Sequence, residues 1–372
     1  MARTIYFVAG EASADNHGVA LMRALRAADT SLRFVGRGGP QMKSIAGDVF
    51  QDWIDKSGVL GLWEVIKQYG YFRKQFHQAL REIEAAKPNA VLLIDYPGFN
   101  LRLARALRRR VPGQKIIYYI SPQVWAWNRG RIKKMARWLD LMLCIFPFEA
   151  ALYNESGLRT IFVGHPMVER LAAKKIDIQR DPDLVGLFPG SRAREIRKIF
   201  PVLIETAEEL KKSKPNLRFE VAAASNELAR QIESILEPQD QASFAIKVGK
   251  TSEIMQRAFV GIVASGSATL EAAYFRLPFV LIYKVAWPTY FAGRLLVKVN
   301  YLGMPNVLAD KEIVPEFIQH RARSREIAKA VERLIDDPHA RQGMILEFDK
   351  IAAQLGESGA SERAAKAILS EI

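Results

Sequence analysis

The sequence has one cysteine among its 372 residues, Cys144, and this excludes an internal disulfide and a cysteine-rich metal site. It also lacks a long apolar run free of charge, because none approaches the roughly 18 residues that span a bilayer. The apolar start over residues 5–10 meets Glu11 and Asp15 too early for a signal peptide. These absences predict a protein of a reducing compartment that does not cross a membrane.

Acidic residues are too few to balance the basic ones. Forty Asp and Glu against 54 Lys and Arg give a formal net charge of +14. This excess predicts an anionic partner: nucleic acid, an acidic membrane surface or a phosphorylated metabolite. A hydrophobic share of 49% and a charged share of 25% are typical of folded globular proteins and exclude wholesale disorder. The length suggests two domains.

Short apolar runs alternate with amphipathic helical stretches, a pattern typical of parallel sheets covered by helices. Six strands are predicted in the first half, over residues 4–10, 33–36, 91–94, 115–120, 141–146 and 160–163. A polar linker is predicted around residues 174–183. Five strands are predicted in the second half, over residues 184–188, 218–224, 243–248, 260–264 and 279–283. The sequence therefore predicts an α/β fold of two doubly wound halves that face each other across a cleft.

Ligands of open parallel sheets bind beyond the carboxyl ends of the strands, where two loops of the first half carry polar residues. The loop after the first strand reads GEASAD and contains Gly10, Glu11 and Ser13. It is not a GxGxxG fingerprint, and a tight turn with Asp15 as helix N-cap is the alternative. Asp95 directly follows the apolar strand 91–94. Poor solvation there raises the pKa of a carboxyl and makes it a candidate base, whereas a structural acceptor for loop amides is the alternative.

Two strand-to-helix loops of the second half are suited to anions. In the first, Gly190 and Ser191 precede Arg192, whose planar guanidinium matches phosphate oxygens at a helix start. The loop lacks the Lys-Ser/Thr pair of a P-loop, so nucleotide hydrolysis is not indicated. The second loop contains small and hydroxylated residues: Ser265, Gly266, Ser267 and Thr269. Glu271 follows within reach of a sugar hydroxyl pair. An ordinary helix cap is the alternative, but two such starts favour a bound diphosphate.

Tryptophan beside Lys and Arg, as found near residues 53–74 and 125–138, is typical of a membrane interface. The predicted membrane contact is a hydrophobic quartet: Val59, Leu60, Leu62 and Trp63. The alternative places the tryptophans in the core. No nucleic-acid motif accompanies the basic residues, so no nucleic-acid partner is predicted. The histidines show no metal-ligand spacing, and Asp181 and Asp183 form an Asp-x-Asp in the predicted linker, so no metal is predicted.

Seven motifs occur in order between residue 8 and about residue 310: GEASAD, IDYPGFN, SPQVWAW, GHP, FPGSR, ASGSATLE and MPNVLA. Together they resemble the lipid-A-disaccharide synthase family over nearly the whole chain. Two positions depart from the usual family pattern. Ala14 stands where the family has glycine, and Phe188 stands where it has leucine.

The resemblance implies a GT-B glycosyltransferase with two Rossmann-like halves. Residues 1–172 would form the acceptor and membrane-facing half, and residues 173–350 the UDP-sugar half. Residues 351–372 would return to the first half or be exchanged within a homodimer. The implied reaction moves 2,3-diacylglucosamine from UDP to the 6-hydroxyl of 2,3-diacylglucosamine 1-phosphate, with inversion and without a metal or cofactor. Its lipid substrates imply an enzyme peripheral on the cytoplasmic face of the bacterial inner membrane, which has an anionic surface.

The resemblance also implies residue roles. Asp95 would be the general base, and Arg192 together with the helix start at Ser267 would stabilise the departing UDP. Glu271 would hold the ribose. Asn306 matches an important position of the family, without a role that the sequence reveals. Two alternatives remain at this point: another GT-B enzyme, such as an undecaprenyl-linked glucosaminyltransferase or a UDP-sugar epimerase, and a non-catalytic basic protein that binds membranes or RNA.

Overall fold

The computed structural model describes residues 3–54, 69–127, 129–238, 241–286 and 300–372. The chain divides into two compact units. Unit 1 comprises Met1–Pro166 and Leu355–Ile372, and unit 2 comprises Met167–Gln354. The division falls before the expected residue 172 because the helix that begins at Met167 packs within unit 2.

Unit 1 is built on a parallel sheet of seven strands in the order β3-β2-β1-β4-β5-β6-β7. The strands are β1 (Thr4–Ala9), β2 (Arg33–Gly38), β3 (Phe50–Asp52), β4 (Ala90–Ile94), β5 (Ile116–Tyr119), β6 (Leu141–Cys144) and β7 (Thr160–Phe162). The helices are α1 (Ala12–Ala28), α2 (Pro40–Ala46), α3 (Tyr69–Ala86), α4 (Pro97–Arg110), α5 (Val124–Trp127), α6 (Ile132–Trp138) and α7 (Pro147–Glu155). Apolar side chains of β1, β4 and β5 form cores on both faces of the sheet, as the continuous apolar runs predicted.

The last residues of the chain complete unit 1. Helix α16 (Ala360–Leu369) packs against α1 and adds Ala364 and Ile368 to the core. The Glu371 carboxylate accepts a hydrogen bond from Lys115 Nζ at 3.0 Å and also pairs with Arg159. Residues 351–354 belong instead to the long helix that ends unit 2.

Unit 2 has a parallel sheet of six strands in the order β10-β9-β8-β11-β12-β13. The strands are β8 (Asp181–Phe188), β9 (Arg218–Ala223), β10 (Phe244–Val248), β11 (Ala258–Ala264), β12 (Phe279–Tyr283) and β13 (Glu316–Ile318). The helices are α8 (Met167–Ala172), α9 (Ala193–Ser213), α10 (Asn226–Glu233), α11 (Thr251–Arg257), α12 (Ser267–Tyr274), α13 (Met304–Ala309), α14 (Ser324–Asp336) and α15 (Pro338–Gln354). The predicted α/β class with two Rossmann-like units is confirmed.

The structure differs from the sequence prediction at short or marginal elements. Strands β3 and β13 were not predicted, because three residues are too few to show an alternating pattern. Helix α1 begins at Ala12, so Asp15 lies inside this helix rather than at its N-cap. Strand β8 begins at Asp181, so the Asp-x-Asp lies in a strand rather than in a linker.

Among the described residues, no helix is both long enough and apolar enough to span a bilayer.

Candidate active site

The first two candidate loops follow neighbouring strands of unit 1. Strands β1 and β4 pair in parallel, with Ala9 opposite Ile94. Gly10 and Glu11 therefore leave the sheet beside Asp95, at the edge where open sheets bind ligands. The structure thus places Asp95 beside two adjacent residues that lie 84 and 85 positions before it in the sequence.

The backbone at Asp95 is held in an unusual conformation. Asp95 and Tyr96 have φ angles of 46° and 50°, a left-handed region that residues other than glycine seldom adopt. Two buried side chains donate to the Asp95 carbonyl oxygen: Tyr118 Oη at 2.5 Å and Asn100 Nδ2 at 2.7 Å. Such strain costs about 1–3 kcal/mol per residue and persists only where the surroundings enforce it. The turn therefore fixes the backbone position from which the Asp95 side chain leaves the chain.

The Asp95 carboxyl lies in an environment that favours its protonated form. Its pKa is raised to about 7, first by burial and then by the charge of Glu11 and a hydrogen bond with that carboxyl. A base with a pKa near the working pH is suited to proton transfer, because much of it is ionised yet still basic. Tyr96 lies in the same cluster, and burial together with Glu11 raises its pKa to about 12.

Gly10 has a steric role in this cluster. A Cβ at this position would overlap the Tyr96 ring, so only glycine lets the ring lie against the chain here. Ser13 is exposed in the first turn of α1 and Glu11 is half-buried, so both are accessible to a ligand.

Asp15 has a structural role that differs from the predicted one. It lies within α1 rather than at its N-cap, and its buried carboxylate accepts from the backbone N–H groups of Gly39, Gln41 and Met42 at 3.0, 3.1 and 3.0 Å. It therefore caps the next helix, α2, instead of its own. Ala14 is fully buried in the same turn of α1.

The start of α9 in unit 2 already holds an anion, the carboxylate of Glu195. Its Oε2 accepts from Ser191 N at 3.1 Å, and its Oε1 lies 3.3 Å from Arg192 Nη1. Gly190 has a φ of 112°, and a Cβ there would overlap the same carboxylate. Arg192 is largely exposed, with 61% of its side-chain surface accessible. This start binds a carboxylate within the protein, which is the chemistry expected of an anion site.

The second anion loop lies next to the first, because strands β8 and β11 pair with Phe188 opposite Val263. Gly266 is at the N-cap of α12 with a φ of 146°, and Ser265 and Ser267 are accessible. Thr269 is not: it is fully buried, and its hydroxyl donates to Gly266 O at 2.8 Å. The structure therefore gives Thr269 a role in shaping the loop rather than in contacting a ligand.

Glu271 is buried in α12 and forms an ion pair with Arg170 of α8. Arg170 Nη2 lies 2.5 Å from Glu271 Oε1, and half of the Arg170 side chain remains exposed. A ribose held by Glu271 would therefore share the carboxylate with this arginine. Arg170 carried no motif and was missed in the sequence.

Asn306 is fully buried in α13, and its amide is fully used by the protein. Its Nδ2 donates to Val314 O at 2.8 Å and to Glu316 Oε1 at 2.9 Å, while its Oδ1 accepts from the backbone N–H groups of Ile313 and Val314. Asn306 therefore positions the segment between α13 and β13. The sequence revealed no role for Asn306, and the structure gives it this positioning role.

Two of the tryptophans considered for a membrane surface lie in the core. Trp53 is 3% exposed and donates from Nε1 to Ala9 O at 2.6 Å. Trp125 is 7% exposed and donates from Nε1 to Glu149 Oε1 at 2.9 Å. The interfacial interpretation is therefore wrong for Trp53 and Trp125. The hydrophobic quartet lies outside the described residues.

The described residues contain no group of three or more His, Cys, Asp or Glu side chains that could hold a metal ion. Asp181 instead pairs with Arg218 of the neighbouring strand, which gives half of the Asp-x-Asp a structural partner. Cys144 is buried in β6, as expected for a core residue.

Two Rossmann-like units, one with a carboxyl at a strand end and one with two helix starts suited to anions, define a protein of the GT-B fold class. Solved structures share this fold. The chain matches a UDP complex of MnaA from Staphylococcus aureus with a TM-score of 0.63 and 14% identity, covering 100% of this chain and 98% of that one. It matches MurG of Acinetobacter baumannii with a TM-score of 0.57 and 13% identity, covering 99% of both chains.

Sequence comparison resolves the family within this class. The profile described as lipid-A-disaccharide synthetase matches residues 5–370. The lipid-A-disaccharide synthase of Geobacter sulfurreducens is 37% identical over 98% of this chain and 96% of its own length. The chain belongs to the lipid-A-disaccharide synthase family.

Proposed function

We propose that this protein transfers 2,3-diacylglucosamine from its UDP derivative to the 6-hydroxyl of 2,3-diacylglucosamine 1-phosphate. The products are UDP and a β-1′,6-linked disaccharide 1-phosphate. Family membership supports the reaction, and one structural observation carries the mechanism. A buried carboxyl with a pKa of about 7, Asp95, lies at the carboxyl end of β4 in a turn whose backbone is held by hydrogen bonds.

Asp95 acts as the general base. Its carboxylate takes the proton of the acceptor 6-hydroxyl while that oxygen attacks the anomeric carbon of the donor sugar. The bond between this carbon and the diphosphate oxygen breaks, the electron pair leaves with UDP, and the configuration inverts. Glu11 keeps the pKa of Asp95 high, and Gly10 and Ser13 border the same site.

Unit 2 binds the UDP part of the donor. The helix starts at Ser191 and Ser267 direct backbone amides at the diphosphate, and Arg192 neutralises the charge that develops on the leaving group. The Glu195 carboxylate accepts a hydrogen bond from the Ser191 amide. The diphosphate therefore displaces one carboxylate, and Arg192 exchanges its partner from Glu195 to phosphate. Glu271 and Arg170 hold the ribose, and Gly190, Ser265 and Gly266 keep the backbone open to the ligand.

The acyl chains of both substrates remain in a membrane, so the enzyme works at an anionic bilayer surface. The net charge of +14 favours this partner. The hydrophobic quartet inserts into the interface, and the protein is peripheral on the cytoplasmic face of the bacterial inner membrane. The C-terminal helix α16 packs within its own chain or exchanges in a homodimer.

Product analysis with two donors tests the reaction. Purified protein is incubated with the acceptor lipid and either UDP-diacylglucosamine or UDP-N-acetylglucosamine, and products are identified by mass spectrometry. We expect UDP and disaccharide 1-phosphate in equal amounts from the diacylated donor only. Conversion of a UDP-sugar without acceptor indicates an epimerase instead, and UDP binding without turnover of either donor contradicts the proposed transfer.

A further inference from the structure

A groove between helices α4 and α6 of unit 1 is lined by six cationic side chains. Its volume is about 420 Å³. The cations are Arg102, Arg105, Arg109, Arg131, Lys134 and Arg137. No acidic side chain is among the described residues that line it. We name this feature the α4–α6 groove.

The amphipathic pattern of α4 explains why the cations share one face. Leu103, Ala104 and Leu107 are fully buried against the sheet, whereas Arg105 and Arg109, one turn apart, are exposed on the opposite face. The groove cations on α4 extend from Arg102 to Arg109, which at 1.5 Å per residue is about 10 Å. The cations therefore form a row rather than a point.

Acidic partners are present nearby but lie elsewhere. Arg108, which is not among the lining residues, pairs with Asp140 at 2.6 Å, and Arg110 lies 3.6 Å from Glu84. The groove cations on α4 share their helix with these paired arginines, and concentrated positive charge disfavours folding through mutual repulsion. An anion outside the chain would offset this repulsion.

We propose that the α4–α6 groove binds the phosphate headgroups of anionic lipids at a bilayer surface. A row of about 10 Å exceeds the size of one phosphate, and five of the six cations are exposed, as suits several mobile headgroups. Among the described residues that line the groove, Trp138 is the one aromatic side chain on which a base could stack. It is half-buried, and the Arg105 guanidinium lies 6.0 Å from the ring centroid.

The groove also has a defined relation to the candidate base. Helix α4 begins at Pro97, two residues after Asp95, so one end of the groove lies at the carboxyl edge of β4. Headgroups bound there place that edge at the bilayer surface. The advantage of this placement for catalysis rests on the proposed function. Headgroup binding itself does not, because binding to vesicles can be measured without substrates.

The test compares two triple variants with equal loss of charge. The groove variant is Arg102→Gln, Arg109→Gln and Lys134→Gln. The control variant is Arg23→Gln, Lys43→Gln and Arg81→Gln, which changes exposed cations of unit 1 on α1, α2 and α3. Co-sedimentation is measured with phosphatidylcholine vesicles that contain 30% phosphatidylglycerol, and with phosphatidylcholine alone, at several salt concentrations.

Each basic residue near an anionic surface strengthens binding about fivefold, so we expect the groove variant to bind anionic vesicles about 100-fold more weakly. We also expect a shallower salt dependence, a change of less than about fivefold for the control variant, and no difference on pure phosphatidylcholine. Unchanged melting temperatures exclude unfolding as the cause.

Three results overturn the proposal. Equal losses in both triple variants show that net charge acts without the groove. Unchanged vesicle binding with a raised KM for detergent-dispersed acceptor assigns the groove to the acceptor phosphate. A larger loss of single-stranded RNA binding than of vesicle binding assigns it to nucleic acid. Failure of the proposed transfer reaction is a separate result, because the difference in vesicle binding between the two triple variants is measured without substrates.

Discussion

Replacing Glu11 with glutamine should move the acidic limb of the kcat/KM pH profile to lower pH. Burial and then Glu11 raise the pKa of Asp95 to about 7. Glutamine keeps the size and hydrogen bonding of the side chain but removes its charge, so we expect the limb to fall by about one pH unit. At pH 6 a base of pKa 7 is about one-tenth ionised and a base of pKa 6 about half ionised, so the active fraction rises about fivefold.

The same substitution should change the pH dependence of stability. Folded Asp95 retains its proton up to about pH 7, whereas the unfolded residue loses it near 3.8, the ordinary pKa of an aspartate side chain. The stabilisation from the protonated carboxyl is therefore complete at pH values below the unfolded pKa and is lost as pH rises to the folded pKa. Glu11→Gln should lower the folded pKa of Asp95, so the pH range over which this stabilisation is lost should end at a lower pH. The free energy of unfolding in urea, measured at pH 4 to 8, tests this.

Glu149 provides the matched control because burial raises the pKa of its carboxyl to about 7 as well. It accepts hydrogen bonds from Trp125 and from the backbone of Phe146, away from Glu11. Glu149→Gln should leave the kinetic limb in place. A limb that stays near pH 7 in Glu11→Gln, or one that moves only in Glu149→Gln, refutes the assignment of that limb to Asp95.

Three further predictions concern the leaving group, metals and the membrane. Arg192→Ala should weaken UDP binding and slow transfer together, and Arg192→Lys should recover only part of the loss because a point charge replaces a planar guanidinium. Unchanged UDP affinity by calorimetry places Arg192 outside the phosphate site. Activity should persist in excess EDTA, because two helix starts and Arg192 can neutralise the diphosphate; loss restored by Mg²⁺ or Mn²⁺ contradicts this. Serine at all four positions of the hydrophobic quartet should reduce vesicle binding at high salt and activity on bilayer-embedded acceptor, while activity on detergent-dispersed acceptor should not fall. A collapse of the melting temperature instead identifies these residues as core.

The sheet order and the raised pKa of Asp95 depend on different kinds of information. Apolar runs predicted strands and the class of fold, because residues covered on both faces must be apolar. The position of Asp95 after such a run also predicted poor solvation. Its coupling to Glu11 depends on β1 and β4 being neighbours, a long-range pairing that neither local segment encodes. Tyr118, which supports the same turn, lay inside an apolar run and carried no signal.

Short polar residues are harder to assign from sequence, because their partners are often backbone groups far along the chain. Thr269 and Asn306 resemble ligand-binding residues in their motifs, yet their polar atoms bond to Gly266 and to the segment 313–316. Asp15 similarly caps α2, 24 to 27 residues away. The contact between Glu195 and the start of α9 could have been predicted, because residues three positions apart lie on the same side of a helix.

The most direct test of the account is a single-turnover measurement of disaccharide formation by Asp95→Asn, together with its UDP dissociation constant. The account predicts a rate about 10²–10⁴-fold below that of the wild type, because the base that takes the acceptor proton is lost. It also predicts UDP affinity within about twofold of the wild type, because Asp95 belongs to unit 1 and the diphosphate loops belong to unit 2. A near-wild-type rate with saturating acceptor contradicts the role of Asp95 as general base.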